Sequence, residues 1–340
     1  MTVEFWWFAV VGLCLLMYII FDGYDLGIGS SLIFEPRKER RFAASQVVSR
    51  SWDANESGLI QKSLVLWARF PQVYGVMLPH LYIPVLLMLF GLILRGMSVE
   101  LASQRGAPAR VWVWLFSVGS LLAAFSQGML FGATMQAVPL KVGHYAGGPL
   151  DFLTPFTAIT GLTAILLYMA LGYAYLVKMG GPDLRSVSIG RGRVVTVMAA
   201  IAIVISAASV GATAAPLNLD TPGRAVPFAI LVIIAAVAGF VGYHALRTDR
   251  TARPFHALSV ATVAGFLAYV WARYPMMLPP DLTVHNTIAP PTTMIFLLIG
   301  VGLNIPLVLF YTWFAHHAFG GRIIASPEKE AAMHPEGASR

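Results

Sequence analysis

The sequence predicts an all-α protein, a polytopic bundle of about nine transmembrane helices. Its 340 residues are 57 % hydrophobic and only 11 % charged, with a mean hydropathy of +0.72. A soluble domain carries roughly 25 % charged residues, so this composition argues against a water-soluble fold. Apolar runs recur from Val3 to Phe319, and each is close to the roughly 20 residues that a helix needs to cross about 30 Å of hydrocarbon.

The predicted helices follow the apolar runs in order. They cover residues 3–30, 47–69, 76–100, 110–135, 153–178, 192–214, 225–246, 255–273 and 290–319. The second is unusually polar, because Asp53, Glu56 and Lys62 lie within it, and it spans the membrane only if neighbouring helices shield it from lipid. We therefore divide the chain into a helical membrane domain, 1–325, and a polar tail, 326–340, predicted to be disordered and cytoplasmic.

The positions of Lys and Arg predict the orientation in the membrane. With the amino terminus outside, the outer segments hold only five basic residues and leave the other 18 of the 23 inside. Those five are Lys62, Arg69, Lys141, Arg224 and Arg273. The positive-inside rule then places the carboxyl terminus in the cytoplasm. Basic inner loops also account for the net charge of +7, so we expect no nucleic acid as a partner.

Ionisable residues cluster where three predicted spans meet the inner side: Asp22, Asp25, Asp53, Glu56, Arg95 and Glu100. A charge at the centre of a membrane helix costs from about 2.5 kcal/mol upward, so such residues are functional candidates. The spacing of three within each acidic pair puts both carboxylates on one helix face. Two interpretations stay open. The carboxylates are either interfacial groups neutralised by Arg95 and the basic loop, or titratable groups in series that admit protons.

The histidines are poorly placed for binding haem. None of the eight lies near the middle of a predicted span, so a buried pair of axial ligands is hard to build. They lie in loops, in the tail or near helix ends: His80, His144, His244, His256, His285, His316, His317 and His334. The sequence therefore predicts no haem or metal site in this chain.

Two pairs of glycines predict close contacts between helices. The steps Gly23–Gly27 and Gly128–Gly132 each separate two glycines by one helical turn. Small residues at this spacing let helix backbones approach closely in membranes.

Several motifs resemble those of one known family. Residues 21–29, FDGYDLGIG, resemble the DG(F/Y)DLG(V/I)G signature of cytochrome bd oxidase subunit II. Further motifs follow in that family's order: WDANE at 52–56 for WDGNE, FPQVY at 70–74 for FPxxY, YIP at 82–84 for YxP, and RG at 95–96. Residues 153–156, Gly161, Gly172 and residues 274–280 extend the similarity over nearly the whole chain.

The resemblance implies a two-subunit quinol oxidase in the bacterial inner membrane. In that family subunit I holds the b haems and haem d, oxidises quinol and reduces oxygen to water, while subunit II carries no haem. The resemblance further implies that Asp53 lines a proton route from the cytoplasm, with Asp22, Asp25, Glu56 and Arg95 in support. The expected partners are subunit I, quinol and membrane lipid, and some family members add small single-span subunits or hold a quinone in subunit II.

The resemblance departs from the family pattern at Gly58. Family members usually carry a tryptophan there that is associated with oxygen access, so the resemblance transfers no oxygen route to this chain. Two other classes of function compete with the oxidase subunit. A proton-coupled secondary transporter also uses paired acidic residues, although near the membrane midplane, and a structural membrane partner would use the polar second helix for docking.

Overall fold

The computed structural model describes residues 3–48, 70–102, 109–213, 217–248, 252–287 and 310. Within these ranges, seven helices are long and apolar enough to cross a membrane, which confirms the predicted all-α membrane fold. The helices predicted at 47–69 and 290–319 fall almost entirely outside the described residues. Asp53, Glu56 and the tail 326–340 also lie outside them.

Eight α-helices and two small hairpins make up the described chain. The helices are α1 (Val3–Ser31), α2 (Lys38–Val48), α3 (Pro71–Ala102), α4 (Ala109–Ala133), α5 (Pro155–Met179), α6 (Pro182–Thr213), α7 (Pro222–Arg247) and α8 (Arg253–Arg273). A short 3-10 helix, Leu32–Phe34, follows α1. The antiparallel hairpins pair β1 (Leu140–Lys141) with β2 (His144–Tyr145), and β3 (Met276–Leu278) with β4 (Leu282–Thr283).

Two features of the polar segments between spans differ from the prediction. The basic loop after α1 contains a helix, α2, which buries Ala44, Val47 and Val48 against the bundle. Helix α6 begins at Pro182 rather than at 192, because proline suits the first turn of a helix and the negative charge of Asp183 favours its amino-terminal end. Hydropathy alone assigns such polar helical turns to a loop.

Helix α3 is kinked in its first half. It contains Pro79 and Pro84, and Leu81 between them has non-helical dihedral angles of φ −116° and ψ 15°. Proline removes a backbone hydrogen bond and crowds the preceding turn, so a kink is expected here. Arg95 lies beyond the kink, in the regular part of the helix.

Helix α5 forms the centre of the bundle and packs against α1, α4, α6 and α8. A Cβ atom added at Gly27 would collide with the Tyr168 carbonyl of α5, and one added at Gly128 or Gly132 would collide with Thr160. Both glycine steps therefore lie where helix backbones touch, as predicted. Such contacts matter because helix association in lipid depends on van der Waals packing rather than on burial from water.

Candidate functional site

A buried cluster of three charged residues joins α1 to α3. Arg95 Nη1 donates a hydrogen bond to Asp22 Oδ1 over 2.6 Å, and Arg95 Nη2 lies 3.8 Å from Asp25 Oδ2. All three side chains have no solvent exposure. The structure thus brings together three of the five predicted site residues.

The backbone contacts of three helices position this cluster. Asp22 and Asp25 share one face of α1 because they are three residues apart. Helices α3 and α4 approach each other closely at Arg95. A Cβ atom added at Gly119 of α4 would lie only 2.9 Å from the Arg95 backbone nitrogen. Only a residue without a side chain allows this approach, and the guanidinium then reaches across to α1.

Among the described residues, the cluster contains two carboxyl groups and one guanidinium. When both carboxyl groups are ionised, these three buried side chains together carry one net negative charge. Moving a charge from water into the protein interior carries a penalty of several kcal/mol even after relaxation. One proton bound by either carboxyl group would remove the net charge. The cluster can therefore hold a proton without leaving an unbalanced buried charge.

A chain of uncharged polar side chains leads from this cluster into the middle of the bundle. Tyr168 Oη donates to Gln127 Oε1 over 2.9 Å, and Gln127 Nε2 donates to the Tyr18 hydroxyl oxygen over 2.8 Å. Tyr18 lies one helical turn before Asp22 on α1, and the two side chains interact. Helices α1, α4 and α5 each supply one member, so the chain ties the central helices together.

Tyr18, Gln127 and Tyr168 are not among the site residues predicted from the sequence. Tyr18 lies one turn before Asp22 on the same helix face, which was a usable signal. Gln127 carries the one amide side chain of α4, which was a second signal. For Tyr168 no local pattern shows that its hydroxyl turns toward α4 rather than toward another neighbour.

The charged residues that follow α1 pair with other partners. Arg40 makes two hydrogen bonds of 2.6 Å to the Asp183 carboxylate at the start of α6. Hydrogen bonding to Asp183 raises the pKa of the Arg40 guanidinium above its ordinary value. Glu35 accepts hydrogen bonds from Arg191 Nη1 over 2.7 Å and from the Arg37 backbone over 3.0 Å. These pairs fasten α2 and the preceding turn to α6.

The remaining candidate groups are spread through the fold. Asp53 and Glu56 lie outside the described residues, as does the side chain of Glu100. His80 is buried in α3, with its ring centroid 5.1 Å from that of Tyr145 in β2. Among the described residues, no group of three or more His, Cys, Asp or Glu side chains could hold a metal ion. That the chain binds no haem stays a prediction.

Comparison with known proteins gives a consistent picture. The family described as "Cytochrome bd terminal oxidase subunit II" matches residues 3–319. The cytochrome bd-I ubiquinol oxidase subunit 2 of Escherichia coli is 28 % identical over 184 residues, which cover 52 % of this chain and 48 % of that protein. The cytochrome bd ubiquinol oxidase subunit 2 of Bacillus subtilis is 27 % identical over 184 residues, covering 53 % of this chain and 54 % of that protein.

The chain thus spans about half the length of the curated relatives it matches. A solved structure of bd oxidase from Geobacillus thermodenitrificans contains a chain with the same fold. Its TM-score is 0.72 at 18 % identity, and the match covers 94 % of this chain and 99 % of that one. None of these similarities favours a transporter.

Proposed function

The chain belongs to the cytochrome bd terminal oxidase subunit II family, and from this membership we propose that it is the haem-free second subunit of a membrane quinol oxidase. Its partner is a subunit I that holds the b haems and haem d, oxidises quinol and reduces oxygen. The complex lies in the bacterial inner membrane, with the amino terminus of this chain outside and its carboxyl terminus in the cytoplasm. The names of the curated relatives and the matching fold support this assignment.

The chemical role of this chain is to admit protons. Reduction of oxygen to water consumes protons as well as electrons, and protons cross a low-dielectric region along titratable side chains and water because an isolated charge is too costly there. The observation that carries this proposal is that two buried carboxyl groups share one guanidinium. The three side chains together alternate between one net negative charge and neutrality as a proton arrives and leaves.

Both carboxyl groups of the cluster take part in this proposal. Asp22 Oδ1 lies 2.6 Å from Arg95 Nη1 and Asp25 Oδ2 lies 3.8 Å from Arg95 Nη2, and proton uptake is assigned to this pair. Asp53 and Glu56, which lie outside the described residues, continue the route toward the cytoplasm. Their part in it depends on the family resemblance of residues 52–56.

Replacement of the acidic residues by asparagine tests the proton route. Asparagine keeps the shape and the hydrogen-bonding capacity but carries no proton. Asp53→Asn and Asp25→Asn should leave assembly and haem content near normal, while steady-state quinol oxidation falls at least several-fold. If Asp53 is instead a counter-ion to a buried cation, the complex should disappear from the membrane, because breaking a buried pair costs about 3 to 5 kcal/mol. Full assembly with undiminished turnover would refute both roles.

The haem-free assignment has its own test. The complex is purified in mild detergent, a haem-bearing chain should copurify with this one, and the subunits are then separated. The separated chain should show no Soret absorption. A stoichiometric Soret band in this chain would refute the assignment without bearing on the proton route.

A further inference from the structure

We propose that Arg193 of α6 and Arg247 of α7 bind the headgroup of an anionic phospholipid, whose acyl chains lie along these two helices. The site is separate from the acidic cluster, and the proposal does not depend on the proton route. It rests on two arginines that meet at one tyrosine, on their lack of acidic partners among the described residues, and on an exposed apolar surface beside them.

The two arginines meet at one aromatic ring. The guanidinium carbon of Arg193 lies 5.8 Å from the centroid of the Tyr243 ring, and that of Arg247 lies 5.9 Å from it. Tyr243 precedes Arg247 by one turn of α7, whereas Arg193 comes from the neighbouring helix. Both contacts are within the range of cation–π interactions. They gather two positive charges from two helices at one place.

Neither arginine is neutralised by a described residue. Arg191, two residues before Arg193, pairs with Glu35. Arg193 and Arg247, in contrast, make no ion pair with a described carboxylate, and the buried Nε of Arg193 has no hydrogen-bond partner there. Residues 247–253 hold three arginines and one aspartate, so their net charge is positive. Guanidinium groups present their hydrogens in a fork that matches phosphate oxygens, so this surface favours a phosphate-bearing ligand.

An apolar cleft continues from the arginines between α6 and α7. Helix α6 packs closely on α5 and α7 packs closely on α8, but α6 and α7 contact each other sparingly. They approach each other where Gly192 lies beside Leu246. Steps of three and four residues from Arg193 and Tyr243 lead to apolar side chains on the same helix faces. These side chains, which define the cleft, are between 44 % and 68 % exposed: Val197, Ile201, Val204, Ile233 and Phe240.

Charge and apolarity together identify the class of ligand. A free phosphate would contact the arginines but leave the cleft open, and a zwitterionic lipid would bring a positive group toward two arginines. A single arginine near a helix end reaches the headgroup region without selecting a lipid. Basic sites between membrane helices, however, bind anionic headgroups. The ligand that satisfies both parts of this surface is therefore an anionic phospholipid.

The position of the site also suits a lipid of one leaflet. Arg40, which follows α1, bonds to Asp183 at the start of α6, so α6 starts on the side where α1 ends. Arg193 lies in the first half of α6 and meets the last turns of α7, which places the arginines toward that same side. With the orientation predicted from Lys and Arg, the lipid belongs to the cytoplasmic leaflet.

The unfolding temperature of the purified complex tests the site. The complete complex is purified in detergent, depleted of lipid, and heated with dioleoyl phosphatidylglycerol, dioleoyl phosphatidylcholine or inorganic phosphate. Phosphatidylglycerol should raise the unfolding temperature more than phosphatidylcholine does, and inorganic phosphate should leave it unchanged. In the double variant Arg193→Gln with Arg247→Gln, most of the difference between the two lipids should disappear. The variant Arg193→Lys with Arg247→Lys keeps both charges without the forked donors and should lose only part of it.

A charge-matched variant controls for nonspecific attraction. Arg37→Gln with Lys38→Gln removes two exposed charges next to α2 and should keep the full difference between the lipids. The proposal would be overturned by equal effects of the two lipids, or by an effect of inorganic phosphate as large as that of phosphatidylglycerol. It would also be overturned by an assembled Arg193→Gln, Arg247→Gln complex that keeps the full difference. The comparison of lipids in the unmodified complex needs no variant, so it decides the class of ligand even if the double variant fails to assemble.

Discussion

Helices α5 and α7 have nearly the same length but opposite positions in the bundle. Helix α5 buries 15 of its 25 residues, whereas α7 buries only three of 26. Yet α7 is the more apolar of the two and exposes Ile230, Ile233 and Phe240. In a membrane, apolarity does not drive burial, because lipid tails are as apolar as leucine. Hydroxyl-bearing side chains mark the packed helix instead, because α5 carries three threonines and three tyrosines and α7 carries one tyrosine.

The charged cluster belongs to the packed region, alongside α5. Its members lie on α1 and α3, and its polar extension reaches Tyr168 of α5. The charged residues of α7, in contrast, are Arg224 near its start and Arg247 at its end. We therefore expect the packed helices to carry the chemistry, whereas α7 contributes mainly an apolar outer surface of the described chain.

The largest expected effect comes from removing the buried cation. Arg95→Leu leaves Asp22 and Asp25 without this counter-ion, and breaking a buried pair in this way costs about 3 to 5 kcal/mol. We expect the complex to be almost absent from membranes, as measured by immunoblotting of this chain and by haem absorption. The matched variant Arg247→Leu at the exposed end of α7 should assemble normally. Normal assembly of Arg95→Leu would show that the cluster does not stabilise the packed region.

Truncation of an apolar side chain should give the second-largest difference in stability between variants of α5 and α7. Leu171 of α5 has no exposure and Ile233 of α7 is 60 % exposed. Leu171→Ala should destabilise the complex by about 2 to 5 kcal/mol through a cavity, and Ile233→Ala by no more than about 0.5 kcal/mol. Thermal unfolding of the purified complex measures both. Equal losses would show that α7 is covered by another chain in the complex.

Glycine replacement should give the smallest contrast. Gly27→Ala pushes a methyl group into the Tyr168 backbone, and overpacking of this kind costs about 1 to 3 kcal/mol. At Gly239 of α7 the nearest atom to an added Cβ is 3.9 Å away, on Ala261. Gly239→Ala should therefore be neutral or slightly stabilising, because alanine favours a helix by about 1 kcal/mol over glycine. An equal fall in unfolding temperature for Gly27→Ala and Gly239→Ala would contradict the close contact between Gly27 and the Tyr168 backbone.

The sequence predicted the membrane fold and part of the site for identifiable physical reasons. Hydropathy marks the spans because each must match the thickness of the hydrocarbon, and buried charge marks Asp22, Asp25 and Arg95 because it is costly. Hydropathy missed α2, a polar helix fastened to α6 through the Arg40–Asp183 pair. A pairing between residues so distant along the chain leaves no local pattern.

The Tyr18–Gln127–Tyr168 chain shows the same limit within the site. Periodicity assigns residues to one helix and to one face of it, but it does not say which helices are neighbours. Tyr168 reaches Gln127 because glycines bring α4 and α5 into backbone contact, and that contact appears only in three dimensions.

The orientation of the termini, predicted from Lys and Arg, stays a prediction. A reporter fused after Arg340 that is active only outside the cell should be silent.

Time-resolved measurement of proton uptake shows whether the acidic cluster carries protons. The fully reduced complex is mixed with oxygen while a pH-indicator dye in the medium reports proton uptake and haem absorption reports electron transfer. In Asp25→Asn we expect electron transfer to begin at the normal rate and proton uptake to slow at least several-fold. The packing control Gly239→Ala should show neither change. Proton uptake at the normal rate in an assembled Asp25→Asn complex would contradict the account.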